Sequence, residues 1–217
     1  MPVSSLAKKP PQSPAMFHYH DLVIELHPEV YDPAEDTFLL LDSIQIDPHD
    51  KILELGTGCG LIGLECARRG VQVLCTDINP FAVQLTRHNI ERNRPFLKGT
   101  IDIRQGDLFS VLKKDERFQL IIFNPPYLPT KTKDRIGGWF DIATDGGQNG
   151  LKTTIKFLHD LSKHLLSNGR SYFIFSSLSP RLTLERYLKH EQLSAAIVAR
   201  HKFESEELDV YCVTPTA

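Results

Sequence analysis

The chain has 217 residues, of which 41% are hydrophobic and 24% charged, and its formal net charge is -2. That length holds one domain with a sizeable core and is short for two, and the near-neutral charge excludes a protein built to coat phosphate backbones. No apolar run approaches the roughly 18 residues of a membrane span, so no membrane partner is expected.

Residues 1–16 carry four prolines and no apolar stretch long enough for a signal peptide, which predicts a flexible tail ahead of a single domain over 17–217. From Pro33 onward, strands and helices alternate. D-P-A-E-D-T-F-L-L-L-D-S-I opens with acids and continues with leucines, the pattern of a helix start. K-I-L-E-L is a short strand, followed by G-T-G-C-G and the helix L-I-G-L-E-C-A-R-R, closed by Gly70. V-Q-V-L-C-T is the next strand, ending at Asp77, and the following helix has Asn79 as cap and Pro80 in its first position.

I-D-I-R and F-Q-L-I-I-F are two more strands. After a long loop comes the helix L-K-T-T-I-K-F-L-H-D-L-S-K-H-L-L, with Gly169 expected just beyond its end. S-Y-F-I-F-S is a strand, P-R-L-T-L-E-R-Y-L-K-H a helix, and two strands around S-A-A-I-V-A-R and L-D-V-Y-C-V finish the chain. Strands separated by helices imply an α/β fold with a doubly wound, mostly parallel sheet, the last two strands forming an antiparallel hairpin at its edge. Cys59, Cys66, Cys75 and Cys212 form no C-x-x-C pair, which suits reduced thiols in a cytoplasmic protein. The nine histidines form no metal-ligand spacing, so no intrinsic metal site is expected.

Ligands of doubly wound sheets sit at the carboxyl ends of the strands. There the first such loop reads E-L-G-T-G-C-G, and Gly56, Gly58 and Gly60 allow close approach of backbone to a ligand. A dinucleotide fingerprint would place a third glycine where Leu61 stands. Asp77, next to Ile78, ends the following strand 21 residues after Gly56, where a carboxylate can accept both hydroxyls of a ribose. Asp107 and Leu108 end the next, a carboxylate and an apolar neighbour suited to an adenine. Any one of Glu54, Asp77 and Asp107 could be a helix cap; three acidic positions at successive strand ends argue against coincidence.

The strand F-Q-L-I-I-F runs into N-P-P-Y-L-P, and prolines cannot continue a sheet ladder. A stiff loop fits a target that must be aimed. An amide or exocyclic amine has a delocalised lone pair and no ordinary base deprotonates it. Asn124 Oδ1 and the Pro125 carbonyl can accept its two N–H groups, Pro126 stiffens the mount, and Tyr127 offers a ring for stacking.

In this order and spacing, E-L-G-T-G-C-G, Asp77, D-L and N-P-P-Y resemble the Rossmann-like class I methyltransferases that use S-adenosyl-L-methionine, over residues 31–213. Y-D-P-A-E-D-T-F-L-L-L-D, T-D-I-N-P and F-N-P-P-Y resemble more narrowly the HemK-type glutamine methyltransferases, in their short archaeal and eukaryotic branch. The resemblance implies a seven-stranded sheet and N5-methylation of the glutamine in the Gly-Gly-Gln loop of a class I release factor. It implies cofactor contacts from Thr37, Glu54, Gly56, Gly58, Gly60, Asp77, Ile78, Asp107, Leu108 and Asn124, with Asn124, Pro125, Pro126 and Tyr127 holding the glutamine. It also implies a heterodimer with a small zinc-binding activator subunit over an apolar sheet edge. The alternatives are an N6-adenine or other nucleic-acid amino-methyltransferase, and a protein-lysine methyltransferase. No region for reading a flipped base is visible, and Lys131, Lys133 and Arg135 make only a small basic cluster, so nucleic acid is not the expected partner. The chain's own Gly-Gly-Gln, within D-G-G-Q-N-G at Asp145 to Gly150, reads as the turn into the next helix; the family's Trp-Ala before those glycines is Thr144-Asp145 here.

Overall fold

A computed structural model describes residues 15–130 and 137–216. Among them, seven strands form one sheet in the order β5-β4-β3-β6-β7-β9-β8. The strands are β3 (Lys51–Leu55), β4 (Gln72–Asp77), β5 (Thr100–Gln105), β6 (Phe118–Phe123), β7 (Leu165–Ser176), β8 (Leu193–Lys202) and β9 (Glu207–Pro215). From β5 to β7 every pairing is parallel; β9 then runs antiparallel between β7 and β8, as the tail hairpin predicts.

Side chains alternate across this sheet and split the core in two. Ile52, Val73, Cys75, Leu120 and Ile122 pack on helices α1 (Glu35–Ser43), α2 (Leu61–Arg68) and α3 (Pro80–Asn93). Leu53, Leu55, Ile121, Phe123 and Phe173 face the opposite way, onto α5 (Lys152–His164) and α6 (Arg181–His190). The strand order reverses between β3 and β6, whose carboxyl ends therefore part to leave a crevice.

Three elements depart from expectation. Met16 belongs to β1 (Met16–Tyr19), which pairs with β2 (Leu22–Glu25) in a separate hairpin, and Leu26 N donates to Ala15 O at 2.8 Å, so residues 15 and 16 of the stretch read as a tail belong to the domain; residues 1–14 lie outside the described residues. The hairpin turns at His20, a non-glycine residue at φ 51, so no turn glycine announced it. Its open edge is matched by side-chain amides of α3. Asn93 Oδ1 and Nδ2 bond Val23 N and O at 2.8 and 2.9 Å, and Asn89 does the same to Glu25 at 2.9 and 3.1 Å. Gly169 lies inside β7 rather than beyond a helix, because α5 passes directly into the strand at Leu165. The short helix α4 (Trp139–Thr144) was not expected at all.

Candidate active site

The crevice holds a cavity of about 300 Å³. It is lined by Thr37, Glu54, Gly56, Gly58, Asp77, Ile78, Asp107, Leu108 and the four residues Asn124 to Tyr127, so twelve positions from separate parts of the chain converge on one space. Gly60 is the exception. It stands outside the lining at φ 87, and a Cβ there would meet Thr86 Cγ2 at 2.9 Å, so this glycine serves the packing of α2 on α3. Lys131, Lys133 and Arg135 lie outside the described residues.

The glycine loop is clamped from three sides. Gly58 N donates to Asp77 Oδ2 at 2.9 Å, Thr86 Oγ1 donates to Gly58 O at 2.9 Å, and Asn89 Nδ2 donates to Cys59 O at 2.9 Å. Glu54 is buried beneath the loop, where its Oε2 accepts from Thr57 Oγ1 at 2.6 Å, Gly63 N at 3.0 Å and Cys75 Sγ at 3.3 Å. Burial pushes its carboxyl up to about 7 against those donors. Asp77 Oδ1 accepts from Asn79 N at 2.8 Å. Each Asp77 oxygen thus carries one main-chain donor and retains lone-pair capacity for a hydroxyl, and burial raises its carboxyl above the ordinary range. Ile78 is 42% exposed and Leu108 adopts φ 48, so an apolar surface and a strained turn stand beside the acid. A polyhydroxylated sugar beside a flat base fits this donor and acceptor set.

The other end of the cavity is built by Asn124 to Tyr127 with a residue the sequence left as a helix-start acid. Asp36, only 4% exposed, accepts from Asn124 Nδ2 at 3.0 Å and Tyr127 Oη at 3.1 Å, both at Oδ2. Its Oδ1 accepts from Thr37 N at 2.7 Å and Thr37 Oγ1 at 3.2 Å. Asn124 Oδ1 is buried with no hydrogen-bond partner among the described residues. Burial and then the Asp36 carboxylate hold the Tyr127 phenol well above its usual range, so it stays a donor; Tyr31, also in the lining, is raised to about 12 for the same reasons.

The mouth is finished by residues with no advance signal. Trp139, Phe140 and Ile142 of α4 line it, Phe140 and Ile142 being 47% and 48% exposed. The end of α4 and the D-G-G-Q-N-G segment together strap the loop after Tyr127: Leu128 N donates to Thr144 O at 3.2 Å, Gly146 N to Leu128 O at 3.0 Å, and Thr130 N to Gly147 O at 2.9 Å. Gly150 lies so close that a Cβ would sit 2.4 Å from Tyr127 O. Gln148 is exposed and does not line the cavity, and the segment turns into α5 as expected.

Fold and site together define a class I methyltransferase, and residues 29–139 match the family described as methyltransferase small domain. A putative protein N5-glutamine methyltransferase of Methanocaldococcus jannaschii is 37% identical over 86% of this chain and 92% of its own. The human methyltransferase HEMK2 is 33% identical over 67% of this chain and 71% of its own. Among solved structures, the E. cuniculi Mtq2–Trm112 complex, described as responsible for methylation of the eRF1 translation termination factor, superposes with a TM-score of 0.68. At 21% identity, over 87% of this chain and 99% of that one, it bears on the fold. The chain belongs to the HemK-type protein-glutamine N5-methyltransferases, in the short archaeal and eukaryotic branch. It is an enzyme whose cofactor is S-adenosyl-L-methionine.

Proposed function

We propose that this enzyme methylates the side-chain amide nitrogen of the glutamine in the Gly-Gly-Gln loop of a class I release factor. The observation that carries the reading is the buried, unpartnered Asn124 Oδ1 in the N-P-P-Y loop. A buried acceptor left unpaired costs about 1–3 kcal/mol, and a substrate N–H removes that cost. Bound S-adenosyl-L-methionine supplies an electrophilic methyl carbon. Asp77 holds its ribose and Ile78, Asp107 and Leu108 its base, while Thr37, Glu54, Gly56 and Gly58 shape the methionine end.

Asn124 Oδ1 and the Pro125 carbonyl take the two amide N–H groups, and Tyr127 stacks on the amide plane. No base is needed before attack, since the weakly nucleophilic nitrogen is aimed rather than deprotonated; as the nitrogen–carbon bond forms, the methyl–sulfur bond would break with its electron pair left on sulfur, and the surplus N–H proton would pass to water. Orientation of this kind supplies on the order of 7–11 kcal/mol in favourable cases. The reading extends to a cytoplasmic location and to a heterodimer with a small zinc-binding activator, the zinc being that subunit's own. Supporting a partner, β5 ends the sheet at one side among the described residues and pairs there only with β4.

The test supplies labelled cofactor with a purified release factor, its Gln→Ala variant, or duplex DNA, each with and without the activator. Label is expected on the intact Gly-Gly-Gln factor alone. Label in DNA, and none in the release factor under either condition, sinks the proposal.

A further inference from the structure

We infer that Asp36 is a positioning residue that decides which end of the Asn124 amide meets the acceptor substrate. This rests on the proposed function for its catalytic reading, and on the geometry alone for the clamp itself.

The oxygen and nitrogen ends of a side-chain amide are nearly the same size, so shape does not choose between them; hydrogen-bond partners do. The site requires the oxygen to be the end left for substrate. Asp36 imposes that choice, because a carboxylate accepts and Asn124 Nδ2 lies 3.0 Å from its Oδ2. A flipped amide would set oxygen against oxygen. The carboxylate cannot swing away, since Thr37 N and Thr37 Oγ1 hold its other oxygen at 2.7 and 3.2 Å. Tyr127 Oη shares Oδ2 at 3.1 Å, so one oxygen atom orients both the acceptor amide and the stacking ring. Asn124 and Tyr127 are 88 and 91 residues away in the chain. The helix start that carries Asp36 is therefore part of the acceptor site.

Asparagine at position 36 cannot reproduce this in either orientation. With its nitrogen toward Thr37, it opposes the Thr37 main-chain N–H with a donor. With its nitrogen toward Asn124, it draws Asn124 Oδ1 inward and turns Nδ2 to the substrate, where donor meets donor. Asp36→Asn is close in volume to the native residue, so packing is disturbed little.

The experiment has two arms on the full chain. In protein labelled with ¹⁵N-asparagine, the Asn124 side-chain protons of the wild type are expected to be slow in solvent exchange, and to lose that protection in Asp36→Asn. In methyl transfer to release factor, Asp36→Asn is expected to lower kcat about 100-fold, the size of removing one preorganised hydrogen-bond group. Its Kd for S-adenosyl-L-methionine should stay within about threefold. Rapid exchange of the Asn124 amide in the wild type overturns the inference. So does a variant kcat within about threefold of wild type, or an equal loss of kcat and cofactor affinity. Wild-type protein that shows the protected amide but transfers no methyl to release factor rejects the proposed acceptor and leaves the clamp standing. If Asp36→Asn fails to fold, the wild-type exchange measurement still decides.

Discussion

The glycine-loop end of the cavity and the Asn124 end are finished in opposite ways. At the first, Glu54 and Asp77 are buried acids already occupied by N–H, O–H and S–H donors from the glycine loop, β4, α2 and the start of α3. At the second, Asp36 is equally buried and occupied, yet the amide it holds keeps an oxygen with no partner among the described residues. A site that binds can be satisfied in advance, because its ligand adds bonds to spare lone pairs. A site that aims a reactive nitrogen must keep something unsatisfied for the substrate to complete.

The sharpest way to break this contrast is Asn124→Ala. It is expected to lower kcat by about 100–1,000-fold while Kd for S-adenosyl-L-methionine, read by calorimetry, changes by less than about threefold. Equal loss in both quantities would mean that the two ends are one unit.

Glu54→Gln probes the other end through pH. A carboxyl that keeps its proton to about 7 in the folded chain, against an ordinary 4.5, binds more protons folded than unfolded across that window. Wild-type stability therefore falls as pH rises from 4.5 to 7, by up to about 3 kcal/mol at about 1.4 kcal/mol per decade. The glutamine variant lacks this fall, so its stability relative to wild type should rise through the same window in denaturant titrations. A pH-independent difference removes the buried-acid reading.

The smallest effect is expected from Asn89→Ala, which deletes amide bonds to Glu25 and to Cys59 O. A loss of about 1–3 kcal/mol should appear as a lower Tm, with weaker cofactor binding because the glycine loop loses one of its clamps. An unchanged Tm would show that the Asn93 bonds and the apolar contacts hold the hairpin without Asn89.

How much of this was legible in the sequence depended on whether a role lay in residue type or in distant pairing. The glycine loop, Asp77 and N-P-P-Y are local patterns, and all but Gly60 of the positions read from them line the cavity. Gly60 looked the same in sequence, but its need for glycine comes from Thr86 on another helix. Asp36 was visible only as an acid in a helix's first turn, where acids are common for reasons of dipole alone. Its bonds to Asn124 and Tyr127 arise from a crossing that no local pattern encodes. Six residues of α4 are too few to show a helical period. The β1–β2 hairpin turns at a histidine, and its outer edge is satisfied by α3 asparagines whose partners lie more than 60 residues away in the chain.

Methylation itself loosens the grip of an acceptor site built this way. On the proposed reading, a primary amide arrives with two N–H donors for Asn124 Oδ1 and the Pro125 carbonyl, and the N-methylated product keeps one. Product would then leave one acceptor unmatched and be held more weakly than substrate, which favours its departure. A second methyl would leave both acceptors unmet, so the same pair of acceptors would set the stopping point at one.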